Sequence, residues 1–193
     1  MKTYLLLPAA VAAMLAAPAF AQDEAAPASA PAAAPFTGAH VEAIAGYDEG
    51  LVYGVGAGYD HQIGTLVLGA QAELTDSTDK ACVNGLFVAA DRFCARSGRN
   101  IYVGGRIGVA VAPSTLLYGK VGYSNLRITT DYKTATGGPA SFHTGGDLDG
   151  IRVGAGLEQK IGSSAFIRGE YRYSDYESGS RSHDGTVAIG FRF

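Results

Sequence analysis

Long apolar runs are nearly absent from this 193-residue chain. The exception is a stretch near the N-terminus, residues 5–17, and nothing after residue 21 is long and apolar enough to predict a membrane-spanning helix. Tryptophan is absent, charged residues make up 17% of the chain, and the net charge is −3. This mild acidic balance gives no reason to expect a nucleic-acid partner.

Cysteine is also scarce, since the chain has only Cys82 and Cys94. Two cysteines in an exported protein are most simply joined as a disulfide. No further Cys or His accompanies them in a metal-ligand spacing, so a metal site is disfavoured. We therefore predict a Cys82–Cys94 disulfide that closes the loop in which both lie, with eleven residues between them.

The N-terminal apolar stretch is typical of an export signal. Lys2 precedes the run 5–17, and Ala19-Phe20-Ala21 has the small-residue pattern of a cleavage site. The run is too short for a membrane helix, so residues 1–21 are predicted to be a signal peptide. Residues 22–35 are mostly Ala and Pro and predict a disordered periplasmic linker. A single folded domain is expected at 36–193.

The segment IRGEYRYSDY, residues 167–176, shows the pattern that dominates the rest of the chain. Charged residues alternate with apolar and aromatic ones, and a strand sends alternate side chains to opposite faces. In a soluble sandwich the charged face would meet water. In an outer-membrane barrel the apolar face meets lipid and the charges point into the lumen.

Similar alternation recurs in eight segments: 37–47, 51–60, 65–75, 100–111, 115–126, 149–160, 164–173 and 185–193. Their lengths approach the roughly 9–11 residues with which a tilted strand crosses a bilayer. Tight turns alternate with longer polar connections at 76–99, 127–148 and 174–184. The apolar segment 84–91 is interpreted as part of a loop, because a ninth spanning strand would leave an odd number.

Apolar and charged side chains fall on opposite faces of these segments. One face is apolar, and an Arg placed there at mid-membrane would cost roughly 2–4 kcal/mol, so the register is well defined. A soluble sandwich would also leave edge strands to protect, which a closed barrel does not have. The fold class predicted is all-β, an eight-stranded antiparallel transmembrane up-and-down β-barrel. Its lumen is expected to hold a charge network of Glu42, Glu73, Arg106, Lys120, Arg152, Glu158, Arg168, Glu170, Arg172 and Arg192.

Three stretches resemble the small opacity-protein-like barrels of Gram-negative bacteria, OmpA-type proteins often labelled "porin family". These are GLEQKIGSSAFIRGEYRYSDY at 156–176, GYSNLRI at 122–128 and the ending TVAIGFRF at 186–193. The resemblance implies a place in the cell outer membrane with both termini periplasmic. The ending also resembles a C-terminal signal that the barrel-assembly machinery reads, carried here by Val187, Ile189, Phe191 and Phe193.

The function expected is structural and surface-exposed, with a lumen filled by paired side chains. Two alternatives remain open. The charges could gate a narrow ion channel, or the external loops could act as an adhesin or capture a ligand such as haem through His143, Tyr132 and Tyr176. Neither enzyme activity nor a cofactor is expected. The partners expected are outer-membrane lipid, lipopolysaccharide and the assembly machinery, and the chain is predicted to be monomeric.

Overall fold

The computed structural model describes residues 34–85, 88, 91–134 and 141–193, all within one unit of the chain that spans 33–193. The predicted signal peptide and nearly all of the predicted linker lie outside the described residues. Within the described part, no helix is long and apolar enough to span a membrane.

Nine strands follow one another along the described chain, each built on alternating inward and outward side chains. A short 3-10 helix, Glu177–Gly179, connects the last two strands. The strands are β1 (Gly38–Asp48), β2 (Gly50–Ile63), β3 (Leu66–Ser77), β4 (Lys80–Asn84), β5 (Arg92–Ala112), β6 (Thr115–Lys133), β7 (Phe142–Ile161), β8 (Ala165–Tyr176) and β9 (Arg181–Arg192).

Eight of these strands form a closed antiparallel ring. The hydrogen-bonded order is β3-β2-β1-β9-β8-β7-β6-β5, and a further pairing of β3 with β5 returns to the start. The pairing of β1 with β9 joins the first and last strands, as in β-barrels whose strands run up and down in sequence order. The predicted eight-stranded up-and-down barrel is therefore confirmed.

β4 lies outside this ring and pairs with β5 alone. It falls inside the predicted loop 76–99, so that part of the loop prediction was wrong. The predicted loop 127–148 is also largely strand, because β6 continues to Lys133 and β7 begins at Phe142. Polar sequences had suggested loops here. Backbone hydrogen bonds between neighbouring strands form regardless of side-chain polarity, so the strands continue past their apolar part.

The ring has two unlike ends. At one end, which we name the turn end, short turns join β2 to β3, β5 to β6 and β7 to β8. At the other end β4, β5, β6 and β7 extend well beyond the remaining strands, and we name this four-stranded part the extension. β6 has 19 residues, whereas β1 has 11. A strand needs only about 9–11 residues to cross a bilayer, so much of the extension lies beyond it.

Side chains sort by face as the alternation predicted. The charged residues of the ring are buried on its inner face, and large apolar residues are exposed on its outer face. Tyr47, Tyr53, Tyr123 and Tyr171 lie on the outer face toward the end that carries the extension, where their rings suit a membrane interface. Examples of exposed outer residues are Tyr53, Val103, Val121, Tyr123, Ile151, Tyr171 and Ile189.

Two glycines on opposite faces provide a direct test of this sorting. A Cβ on Gly122 would lie 2.3 Å from the backbone oxygen of Val103 and 2.4 Å from the Cα of Gly104, neither of which is free to move. Gly169, on the outer face of β8, has no atom within 4 Å of the equivalent position. We expect Gly122→Ala to lower the free energy of unfolding by about 1–3 kcal/mol, the usual cost of overpacking.

The matched control is Gly169→Ala, which should leave stability unchanged or raise it slightly, because Ala restricts the unfolded chain. Both variants are compared by urea unfolding of the protein refolded into phospholipid vesicles. Equal stability of the two variants would contradict the tight inner packing of Gly122.

Candidate functional site

The interior of the ring near the turn end holds a set of charges that we name the turn-side cluster. Asp60 lies at its centre: Nε and Nη2 of Arg106 each donate to it at 2.7 Å, and Nη1 of Arg192 donates at 2.6 Å. Glu158 accepts from Arg106 at 3.0 Å, from Arg168 at 2.9 Å and from Arg192 at 2.7 Å. All five side chains are buried, so two carboxylates hold three guanidinium groups away from water.

Glu42 connects this cluster to the rest of the interior. Its carboxylate accepts from Arg168 at 2.8 Å and from the side-chain amide of Gln71 at 2.8 Å. The same Gln71 amide donates to Glu73 at 2.7 Å. His40 is buried beside Asp60 with 3.3 Å between its Nδ1 and a carboxylate oxygen.

A second set, the loop-side cluster, fills the interior toward the extension. Lys120 lies 2.6 Å from both Glu73 and Glu170. Arg172 donates to Glu170 at 2.5 Å and lies 3.2 Å from Glu73. Its members are Glu73, Lys120, Arg152, Glu170, Arg172 and Asp184, and each of them is buried.

Two tyrosines lie against these cations and occupy the space between the ion pairs. The guanidinium groups of Arg106 and Arg168 lie 5.0 and 5.3 Å from the ring centre of Tyr118. Lys120 lies 4.6 Å from the ring centre of Tyr102. These distances allow cation–π attraction, which is strongest where water is excluded. The Tyr118 hydroxyl also donates to Glu170, which links the two clusters.

Buried side-chain groups also lie toward both ends of the interior. At the turn end, Phe36, Val67, Leu116 and Tyr118 form a buried apolar group. Phe36 precedes β1, and its backbone is held there because its NH donates to Gln62 and its carbonyl accepts from Arg192. At the opposite end, a buried polar layer joins Asn100, Ser124, Arg152, Ser174 and Tyr176 by hydrogen bonds.

Sequence reasoning missed two of the interior carboxylates. The ten residues singled out contain six cations but only four Glu, and the structure adds Asp60 and Asp184 to make six of each sign. Asp60 is the last residue of the predicted strand 51–60 and was not included among the lumen charges, and Asp184 falls in the predicted connection 174–184 because the last predicted strand begins too late. The alternation of side chains could have identified both residues. Asp60 lies on the same inward face of β2 as Gly56 and Gly58, and Asp184 lies on the same inward face of β9 as Thr186.

Cys82 and Cys94 form the expected disulfide, but they join two paired strands, β4 and β5, rather than the ends of an irregular loop. The bridge lies in the extension, away from the interior charges. Among the described residues, no group of three or more His, Cys, Asp or Glu side chains is placed to hold a metal ion.

The three residues considered for ligand capture do not form one site. Tyr176 is buried in the interior polar layer, where its hydroxyl accepts from Asn100 at 2.6 Å. Tyr132 is buried on the inner face of the extension and stacks on Phe142. His143 faces outward and its Nδ1 lies 2.6 Å from Asp131. The hydrogen bond from His143 lowers the pKa of Asp131 below its ordinary value.

The remaining histidines lie on the outer face. His61 belongs to β2 and is exposed. His183 belongs to β9, where its Nδ1 lies 2.6 Å from the Tyr171 hydroxyl. The adjacent Ser182 points the other way and donates to Asp48. The four residues of the ending, Val187, Ile189, Phe191 and Phe193, are all exposed on the outside of the barrel.

Comparison with known proteins agrees with this architecture. The model of the family described as "Outer membrane protein beta-barrel domain" matches residues 7–193. The 22 kDa outer membrane protein of Rhizobium leguminosarum bv. viciae is 32% identical over 130 residues. That match covers 65% of this chain and 54% of the relative, so the chain spans about half the length of that curated relative.

Solved structures share the fold at low sequence identity. The N-terminal β-barrel domain of Pseudomonas aeruginosa OprF is 14% identical with a TM-score of 0.57, over 81% of this chain and 98% of that one. A major outer membrane protein of Thermus thermophilus is 12% identical with a TM-score of 0.55, over 80% and 98%. Yersinia pestis Ail, solved with the heparin analogue sucrose octasulfate, is 12% identical with a TM-score of 0.52, over 81% and 97%.

Proposed function

The chain belongs to the outer-membrane β-barrel family, and from that premise we propose that it is a structural, surface-exposed protein whose lumen is filled by side chains. Its family and fold are those of structural barrels rather than enzymes. Barrels of eight strands have an interior just wide enough for side chains to fill. The function is then to occupy the outer membrane and to present the extension outside the cell.

The main observation that supports a closed lumen is that six cations and six carboxylates are buried together inside the ring. Opening a path for ions would separate some of these pairs, and an unpaired buried charge costs several kcal/mol. The apolar group around Phe36 and the polar layer around Tyr176 support the same proposal, because each covers one end of the interior.

The orientation follows the general rule for bacterial barrels, in which short turns face the periplasm and long connections face the exterior. The turn end, with Phe36 and Phe193, is then periplasmic and the extension is extracellular. We further propose that residues 1–21 are removed on export and that 22–35 form a periplasmic linker. The assembly machinery would read the outward residues of the ending, and the assembled barrel would be monomeric.

Conductance tests the closed lumen directly. The full chain, refolded and inserted in a planar bilayer, is expected to give no reproducible single-channel current, because the interior charges are paired and both ends are covered. The heat-dependent shift on a gel shows that the same sample is folded. Steps of current that change in Arg106→Ala or Glu73→Ala would contradict the proposal and establish a gated pore.

A narrow ion channel is the second candidate, and a specific observation favours it. Several buried interior atoms have no hydrogen-bond partner among the described residues, including Tyr102 Oη, Gln71 Oε1 and Arg192 Nε. Buried polar atoms of this kind usually bind water. Water between the clusters would give the interior a polar path that a small change in ion pairing could connect.

Binding through the extracellular side is the third candidate. Ail was solved with a heparin analogue, and we carry over only the proposal that a barrel of this shape can present a saccharide-binding surface. Haem capture has less support here. His143, Tyr132 and Tyr176 lie on different faces or at different depths, so they do not converge on one ligand.

A further inference from the structure

The outward face of the extension is strongly basic. On β6, which runs without a bulge, the odd-numbered residues face outward from Val121 to Lys133. Cross-strand partners share a face, so the register identifies the outward residues of the neighbouring strands. We name this surface the basic face. Its cations are Lys80, Arg92, Arg96, Arg99, Arg127 and Lys133, and its carboxylates are Asp131, Asp147 and Asp149.

Like charges lie directly opposite each other on this face. Lys80 pairs in register with Arg96, and Arg92 pairs with Lys133. Like charges in directly opposed positions destabilise a sheet. No ion pair involving these four side chains occurs within the part of the chain that the structure describes. Asp131 lies between the two pairs, opposite Cys94. These four cations thus share one neighbouring carboxylate and keep a net positive charge, which suits an anionic partner.

The lower edge of the basic face is already organised. Nη2 of Arg99 lies 3.0 Å from the Asn125 side-chain oxygen and 3.3 Å from Asp147, and Arg127 lies 3.6 Å from the same carboxylate. One carboxylate thus positions two guanidinium groups and leaves a net positive charge. Arginine forks of this kind fit the geometry of phosphate groups.

The other side of the barrel, at the end that carries the extension, is acidic rather than basic; we name the edge of the barrel at this end the rim. Around β1, β2, β3, β8 and β9, the outer rim residues include one cation, Arg181, which lies 3.7 Å from Asp175. The exposed acidic residues there are Glu49, Asp76, Asp175 and Glu177. The two sides of the barrel therefore carry opposite net charge at this end, and an anion would bind on the basic side only.

Position indicates which anion this is. The basic face continues the lipid-facing residues Tyr123 and Ile151 upward along the same strands. Arg127 is four residues above Tyr123, which is about 13 Å along a strand at 3.3 Å per residue. A surface just above the membrane and facing sideways lies among the headgroups of the outer leaflet rather than in free solution.

We propose that the basic face binds the phosphorylated saccharide of lipopolysaccharide in the outer leaflet, on the β4–β7 side of the barrel. The lower arginines contact the phosphates nearest the lipid, and the upper cations contact anionic groups of the sugars above. This inference rests on the proposed extracellular position of the extension and names the partner of that surface.

The test measures the binding of fluorescent lipopolysaccharide to the full chain, refolded in zwitterionic detergent, by fluorescence anisotropy. The variant Arg96→Gln/Lys133→Gln removes one charge from each opposed pair. Each cation near an anionic headgroup contributes about a 5-fold change in affinity, so removing two is expected to weaken binding about 25-fold. Stability to urea should stay the same or rise, because the repulsion is relieved. A purely structural role for these cations would instead lower stability.

Arg181→Gln is the matched control, since it removes an exposed cation from the acidic side and should leave binding unchanged. Equal binding by the double variant and the wild type would overturn the proposal. So would unchanged binding of enzymatically dephosphorylated lipopolysaccharide, which would show that acyl chains alone are bound. Heparin binding is measured on the same variants. If the double variant lost heparin binding but kept lipopolysaccharide binding, the basic face would be assigned to a soluble polyanion instead. None of these results bears on the closed lumen, which the conductance measurement tests separately.

Discussion

Replacing Asp60 with Asn is expected to lower the free energy of unfolding of the barrel by about 3–5 kcal/mol, the largest effect of any single neutralisation considered for this protein. Asn keeps the size of the side chain but removes its charge. Arg106 and Arg192 then remain buried, with Glu158 as the carboxylate that both still contact. Because these guanidinium groups cannot reach water, the lost pairing is not replaced.

A double-mutant cycle identifies the cause of this effect. Arg106 forms a two-bond fork with Asp60, so the loss in Asp60→Asn/Arg106→Gln should be smaller than the sum of the two single losses. Asp175→Asn is the control, because Asp175 is exposed and its partner Arg181 is 3.7 Å away. Urea unfolding in phospholipid vesicles measures all four variants. A loss of less than about 1 kcal/mol in Asp60→Asn would show that Asp60 is not central to the interior.

Placing an Arg on the lipid-facing surface is the second large effect expected. Val121 lies near the middle of the membrane-spanning part of β6 and faces outward, with 56% of its surface exposed. An Arg at the bilayer midplane destabilises a β-barrel by about 2–4 kcal/mol, so Val121→Arg should lower the unfolding free energy by that amount. Folding yield into vesicles should fall with it.

The matched control is Val83→Arg in β4 of the extension, where Val83 is 54% exposed. The two valines differ little in exposed fraction, but Val121 faces the lipid, whereas Val83, opposite Phe93, lies on the inner face of the extension. Val83→Arg is expected to change the unfolding free energy by less than about 1 kcal/mol, as for surface substitutions generally. If both variants lost the same stability, contact of Val121 with lipid would not be the cause of the effect.

The sequence predicted the membrane-spanning part of the barrel well because alternation is a local property. Arg168, Glu170 and Arg172 identify the inner face of β8 from residues two apart, with no knowledge of any neighbour. Lipid contact makes the wrong register expensive, so apolar and charged positions had to separate cleanly. The eight ring strands and the inward position of each predicted charge follow from this constraint.

Prediction failed where that constraint no longer acts. Beyond the membrane the outer face of β6 meets water or sugar, so Arg127, Asp131 and Lys133 interrupt the apolar pattern while the strand itself continues. β4 was missed for the same reason, since all five of its residues are exposed. Backbone pairing stabilises these segments, and backbone pairing leaves little trace in residue type.

The sequence by itself determined the class of fold, the membrane it occupies and which face of each strand carries charge. Only the tertiary structure decided which charges meet. Asp60 holds an Arg 46 residues away and another 132 residues away, and Lys120 joins Glu73 to Glu170. These contacts depend on ring closure and on the stagger between strands, which no local pattern encodes. Pairing of the consecutive strands β4, β5 and β6 brings six cations to one side of this end of the barrel, where the surface to test first is found.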